Sequence, residues 1–231
     1  MACCAPSDKT PAPLALDDPE CAAAYSAIEA FFVRKMSARA PHHGWEHAVR
    51  VLRWASAIDP KAMCVEVVTL ALLHDVLDHK FEDVAQADFD ALVLELMPAS
   101  PPERALLYKA IDAVSFSKEK KRGFRWYEGV LDARWLAWRN IVSDADKLEA
   151  LGSVGFARCY EVSREFALKR GETPCVSKLL EDVVQHCHDK LFRLGAEYMR
   201  TAAGVAFAKE QTSVLRDELY ARGIPEVALR T

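Results

Sequence analysis

The placement of proline restricts this chain to helices punctuated by short loops. Four of the 11 prolines lie in residues 1–19, and the rest leave long proline-free stretches at 20–40, 61–97, 103–173 and 175–224. Proline breaks a helix interior but suits its first turn. Asp18-Pro19, Asp59-Pro60 and Ser100-Pro101 each set a capping side chain before a proline. That pattern predicts helices over 20–39, 61–79 and 102–116. Ala48, Val51, Leu52, Ala55 and Ile58 recur at helical spacing and give 45–58 one buried stripe. Residues 65–77 are apolar on most sides, as expected of a central buried helix. Residues 132–151, 153–169, 177–194 and 197–222 complete the helical set. No segment alternates like a strand, and glycine is scarce, at 9. The expectation is an all-α fold: one helical bundle domain over 20–222, a disordered leader at 1–19 and a tail at 223–231. The long irregular segment, 117–130, is basic, with Lys118, Lys120, Lys121, Arg122 and Arg125 against Glu119 and Glu128.

Composition narrows the function classes. At 231 residues and 51% hydrophobic content the chain can bury a core without disulfides. The same values exclude disordered and collagen-like chains. No apolar run approaches the ~18 residues of a membrane span, so a membrane partner is not expected. No basic region followed by an apolar core marks a secretory signal at the start. Seven cysteines, an odd number without CxxC spacing, fit a reduced compartment. The expected localisation is cytoplasmic, with the nucleus left open. A formal charge of −4 argues against a dedicated nucleic-acid binder. A nucleic-acid reading rests only on the basic run 118–125, otherwise a solvated loop.

Three segments carry chemistry: His43-Gly44-Trp45-Glu46-His47, Leu72-Leu73-His74-Asp75-Val76-Leu77-Asp78-His79-Lys80-Phe81 and Ser143-Asp144-Ala145-Asp146-Lys147-Leu148-Glu149. A carboxylate at the end of an apolar helix costs several kcal/mol, of order 3–5, unless it is paired or bound to a cation. His74 and Asp75 diverge around a helix, yet both can reach an ion near its end. Asp78 shares the His74 face at i+4, and His43 shares that of His47 if both are helical. Asp146 is a further carboxylate in a partly apolar helix. Two imidazoles and two carboxylates suit one divalent ion with open positions. Such an ion lowers the pKa of a coordinated water.

With these residues in place, the chain resembles the HD superfamily of metal-dependent phosphohydrolases, whose H…HD…D pattern reads here His47…His74-Asp75…Asp146. It is most similar to a branch of small all-helical hydrolases with HDxxHxxRV, LLHDxxDxKF and DADRLDAxG blocks, over roughly residues 25–215. The resemblance implies His47, His74, Asp75 and Asp146 as metal ligands. It implies Asp78 as a catalytic group that positions or deprotonates the attacking water; His43 is a second catalytic candidate, contacting substrate or that water, or else merely starts its helix. Lys80, Arg158, His186 and Lys190 match positions near the substrate phosphates. Gly44 replaces the Asp that usually follows the first His.

The implied activity is hydrolysis of a small phosphorylated metabolite, with a nucleotide the leading candidate, by a monomer or homodimer. One divalent metal ion is the implied cofactor, among Mn, Mg, Co, Ni, Fe and Zn. The alternative is a catalytically silent helical module that binds metal or nucleotide. Several plainer readings stand beside these. His74-Asp75 alone could be a hydrogen-bonded pair at a helix end, and Asp144 an exposed residue or a partner behind the ligands. Arg50 reads as a structural ion-pair partner, and His79 and His188 as surface residues.

Overall fold

The computed structural model describes residues 11–39, 43–78, 83–98 and 100–229. Among them every regular element is helical, as the proline map predicts. The contacts divide the chain into two compact units, Pro11–Asp146 and, from Lys147 onward, the C-terminal residues.

The first unit begins with α1 (Pro19–Lys35), whose start follows the sequence: the Asp18 carboxylate accepts from the Glu20 and Cys21 amides at 2.7 and 3.1 Å. Next come α2 (Trp45–Ile58), a 3-10 turn over Pro60–Ala62, and α3 (Val65–Leu73). Helix α3 is apolar on all sides and packs against α1, α2 and α5, so Val67 to Leu73 are all buried. An all-round apolar helix is stable only inside such a shell. It is shorter than the expected 61–79, because the chain turns at His74.

Helix α4 (Gln86–Leu96) is absent from the sequence expectation. Its N-cap, Ala85, makes no side-chain hydrogen bond, so no local start signal exists. Helix α5 (Pro101–Val114) is capped by Ser100 as expected. The segment expected to be irregular, 117–130, instead holds α6 (Phe116–Arg122) and a 3-10 turn over Trp126–Gly129. Helix α7 (Ala133–Glu149) starts where the Asp132 carboxylate accepts from the Trp135 amide at 2.9 Å.

The second unit contains α8 (Gly152–Lys169), α9 (Val176–His186), one π turn over Cys187–Leu191, α10 (Phe192–Glu197) and α11 (Ala202–Tyr220). Helix α8 packs against α9 and α11, around Phe156, Ala167, Leu179, Val183, Leu215 and Leu219. The helix expected over 197–222 is broken at 198–201, and Thr201 restarts it by accepting from the Gly204 amide at 2.9 Å. The tail is not bare: Glu226–Leu229 form a 3-10 turn with Leu229 buried. His188, expected at the surface, is half-buried, with Nε2 2.7 Å from the Ala228 carbonyl oxygen. Of the expected leader, residues 1–10 lie outside the described residues, and 11–17 form no regular element. His79 also lies outside the described residues.

Candidate metal centre

Three elements of the first unit deliver the site. Helix α2 presents His47 on its buried face, beside Ala48, Val51 and Leu52. Helix α3 ends at Leu73, and His74 is its C-cap. The His74 imidazole takes over one orphan carbonyl of that helix end: Nδ1 donates to Ala71 O at 2.8 Å. With Nδ1–H committed, Nε2 is left as the outward nitrogen, able to face an ion. Asp75 follows in the turn, and α7 brings Asp146 from its C-terminal part.

The donor atoms converge. One ligand atom each from His47, His74 and Asp75 lies within 4.8 Å of the others. The two Nε2 atoms stand 3.3 Å apart. Two nitrogens each about 2.1 Å from one ion keep a separation of about 3.0–3.4 Å. Asp146 Oδ1 is 3.6 Å from both nitrogens. The cluster could hold a divalent metal ion, since imidazole and carboxylate together suit a borderline cation.

His43 lies in the turn before α2 rather than on it. Its Nδ1 donates to Asp75 Oδ2 at 3.0 Å, the kind of contact that orients a ligand carboxylate. Burial alone would raise the Asp75 carboxyl, but the His43 hydrogen bond and the His74 charge hold it well below the usual carboxylate range. Burial alone would lower His74, yet the hydrogen bond and charge of Asp146, with Asp75, push it up to about 9.

Asp78 lies in the same turn, half-buried, with its amide donating to Asp75 O at 3.3 Å. Asp144 is fully buried, which removes the exposed reading. Arg50 pairs with Glu46 at 3.8 Å, as expected of a structural partner. Lys80 lies outside the described residues. Arg158, His186 and Lys190 belong to the second unit. There Arg158 ion-pairs with the buried Glu149 carboxylate, His186 is exposed at the end of α9, and Lys190 is half-buried in the π turn.

The sequence reading missed two residues at this site, Arg39 and Asp83. Arg39 donates to the Asp75 and Val76 carbonyl oxygens at 3.1 and 2.7 Å. These carbonyls belong to the turn that carries Asp75. No motif marks either residue, because the contact links positions 36 and 44 residues apart in sequence.

No protein-family model matches the chain, and no curated protein matches it in sequence. Solved structures do. A Lactobacillus plantarum protein is 24% identical with a TM-score of 0.64, over 87% of this chain and 95% of its own. Bacillus subtilis YpgQ is 22% identical with a TM-score of 0.60, over 90% and 98%. Lin1889 from Listeria innocua is 20% identical with a TM-score of 0.58, over 92% and 97%. The chain shares the helical fold of these proteins. YpgQ has also been solved in complex with ADP, in a structure 21% identical to this chain with a TM-score of 0.59, over 89% and 95%.

Proposed function

We propose that this chain is an HD-type, divalent-metal-dependent phosphohydrolase acting on a small phosphorylated metabolite, and that the metabolite is a nucleotide. The observation that carries this reading is the convergence of one ligand atom each from His47, His74 and Asp75 within 4.8 Å, with the two Nε2 atoms 3.3 Å apart. Asp146 Oδ1 stands 3.6 Å from both imidazoles. The nucleotide is supported by the ADP bound to YpgQ, which has the same fold.

His47, His74, Asp75 and Asp146 hold the ion. When bound, the ion polarises a phosphoryl oxygen and lowers the pKa of a coordinated water. The chain's own residues do the rest. His43 keeps the Asp75 carboxylate oriented through Oδ2. The Asp78 carboxylate accepts a proton from the attacking water. By the family resemblance, Lys80, Arg158, His186 and Lys190 are the residues assigned to the substrate, where cationic side chains would offset charge on phosphate oxygens. The site lies in a chain without a helix long and apolar enough to cross a membrane among the described residues.

The test uses purified protein with Mn²⁺, Mg²⁺, Co²⁺ or Ni²⁺ against nucleotides and sugar phosphates. Phosphate release that depends on metal and disappears in Asp75→Ala supports the reading. Bound metal and a nucleotide-induced thermal shift with no product would reassign the chain as a silent binding module. Neither metal nor turnover would overturn both.

A further inference from the structure

The basic segment that joins α5 to α7 contributes nothing to the metal centre, yet it is built with care. Residues 120–125, Lys120-Lys121-Arg122-Gly123-Phe124-Arg125, are all exposed. Phe124 is 59% exposed, in the middle of four cationic side chains. Gly123 has φ +112°, and Arg125, at φ +59°, is the one non-glycine residue with positive φ among the described residues. A left-handed non-glycine costs on the order of 1–2 kcal/mol, so something must hold it there.

The holder is Glu119, which is fully buried. Its Oε1 accepts from the Arg125 amide at 3.1 Å and from the Tyr127 hydroxyl at 3.4 Å. Its other oxygen faces the buried Arg139 guanidinium at 3.5 Å. Arg139 donates twice to Ala113 O, at 2.9 and 2.6 Å, and lies 3.5 Å from the centroid of the Tyr127 ring. A buried carboxylate and guanidinium thus fasten the turn from beneath and send Phe124 outward.

The exposed side carries planar, cationic chemistry. The Arg125 guanidinium stands 5.3 Å from the Phe124 ring, and that of Arg122 lies 4.6 Å over Trp126. Asp112 neutralises part of the charge by pairing with Lys118 and Arg122, and Glu128 by pairing with Arg125. Lys120 and Lys121 have no ion pair among the described residues. An exposed aromatic ring flanked by cations suits a ligand that alternates flat π surfaces with anions.

We propose that the Lys120–Arg125 turn is a binding surface for single-stranded nucleic acid, with a base stacked on Phe124 and phosphates held by Lys120, Lys121, Arg122 and Arg125. A lipid surface is disfavoured because one ring gives too little apolar area for insertion. Arg139, which anchors the Lys120–Arg125 turn, precedes Asp146 by two turns of α7, or about 10 Å along the axis. The whole-chain charge of −4 conceals the patch, since binding depends on the local field.

Fluorescence anisotropy with labelled oligo(dT) and oligo(U) of about 12 nucleotides, in EDTA, tests this independently of any hydrolase activity. Binding should weaken steeply between about 50 and 200 mM salt. Phe124→Ala should weaken it about tenfold with the salt slope unchanged. The double variant Lys120→Ala/Lys121→Ala should reduce the slope by about 1.4. All three residues are exposed, so circular dichroism should match the parent. The proposal is overturned by no binding at low salt, by Phe124→Ala binding like the parent, or by capture on anionic phosphatidylserine vesicles without oligonucleotide binding.

Discussion

Arg39 grips Asp83 along one edge of its guanidinium, Nε to Oδ2 at 2.7 Å and Nη2 to Oδ1 at 2.6 Å. Its end donates through Nη1 to the Asp75 carbonyl oxygen and through Nη2 to that of Val76. The Arg39 side chain is 2% exposed, whereas the Asp83 side chain, at 30%, reaches solvent. The carboxylate fixes the plane of the guanidinium, and the guanidinium fixes the backbone that aims the Asp75 side chain. Arg39 thus ties Asp83 to the Asp75–Val76 backbone.

Arg39→Lys should therefore weaken divalent-metal binding about 10–100-fold, the usual effect of losing a group that orients a ligand. Lysine keeps the charge but not the planar fork. Asp83→Asn should weaken binding less, since the carbonyl contacts remain. Isothermal titration with Mn²⁺ measures both. Parent-like affinity in Arg39→Lys would show that the turn holds its shape without the fork.

Metal binding should expel a proton. In the metal-free protein His74 is pushed up to about 9, while Asp75 stays ionised far below neutrality. His74 gains its partners on folding, so its contribution to metal-free stability is complete below the unfolded value of about 6.5. That contribution is lost as pH rises through about 9. The ion needs the neutral imidazole, so its affinity should rise by up to tenfold per pH unit below that value, with about one proton released at pH 7. Calorimetry in two buffers of different ionisation enthalpy counts the proton. A pH-independent affinity over this range would contradict the assignment of His74 as a ligand.

Metal should also stabilise the fold. At a free concentration 100 times Kd the gain is about 2.7 kcal/mol, visible as a rise in Tm that EDTA reverses. Asp75→Ala should abolish the rise while helical circular dichroism persists. If the variant keeps the metal-dependent rise, the ion binds elsewhere.

Much of the fold is legible where local chemistry decides it. Asp18 and Ser100 cap α1 and α5 at the expected places, and the expected 153–169 differs from α8 by one residue. The misreadings share a cause: distant groups set the outcome. Helix α3 stops at Leu73 although the apolar pattern continues. The His74 imidazole takes the Ala71 carbonyl, and Arg39 takes those of Asp75 and Val76. Helix α4 had its signal, Phe89, Leu92 and Val93 buried at helical spacing, but no capping side chain to announce it. At the site, His47, His74, Asp75 and Asp146 were all legible as motif residues and lie close together. Arg39 and Asp83 were not, because only tertiary structure brings them to that turn.

The buried pair under the basic turn should be costly to break from one side. Glu119 and Arg139 are both fully buried and 3.5 Å apart. Glu119→Ala leaves the Arg139 guanidinium charged in the interior, and also removes the acceptor of the Arg125 amide and the Tyr127 hydroxyl. Removing one partner of a buried ion pair costs about 3–5 kcal/mol. The double variant Glu119→Ala/Arg139→Met removes the stranded charge and should recover part of that loss. Urea unfolding of the parent and both variants measures the difference. A Glu119→Ala loss below about 1 kcal/mol, the level of an exposed pair, would mean that solvent reaches the pair and that the turn is not fastened from beneath.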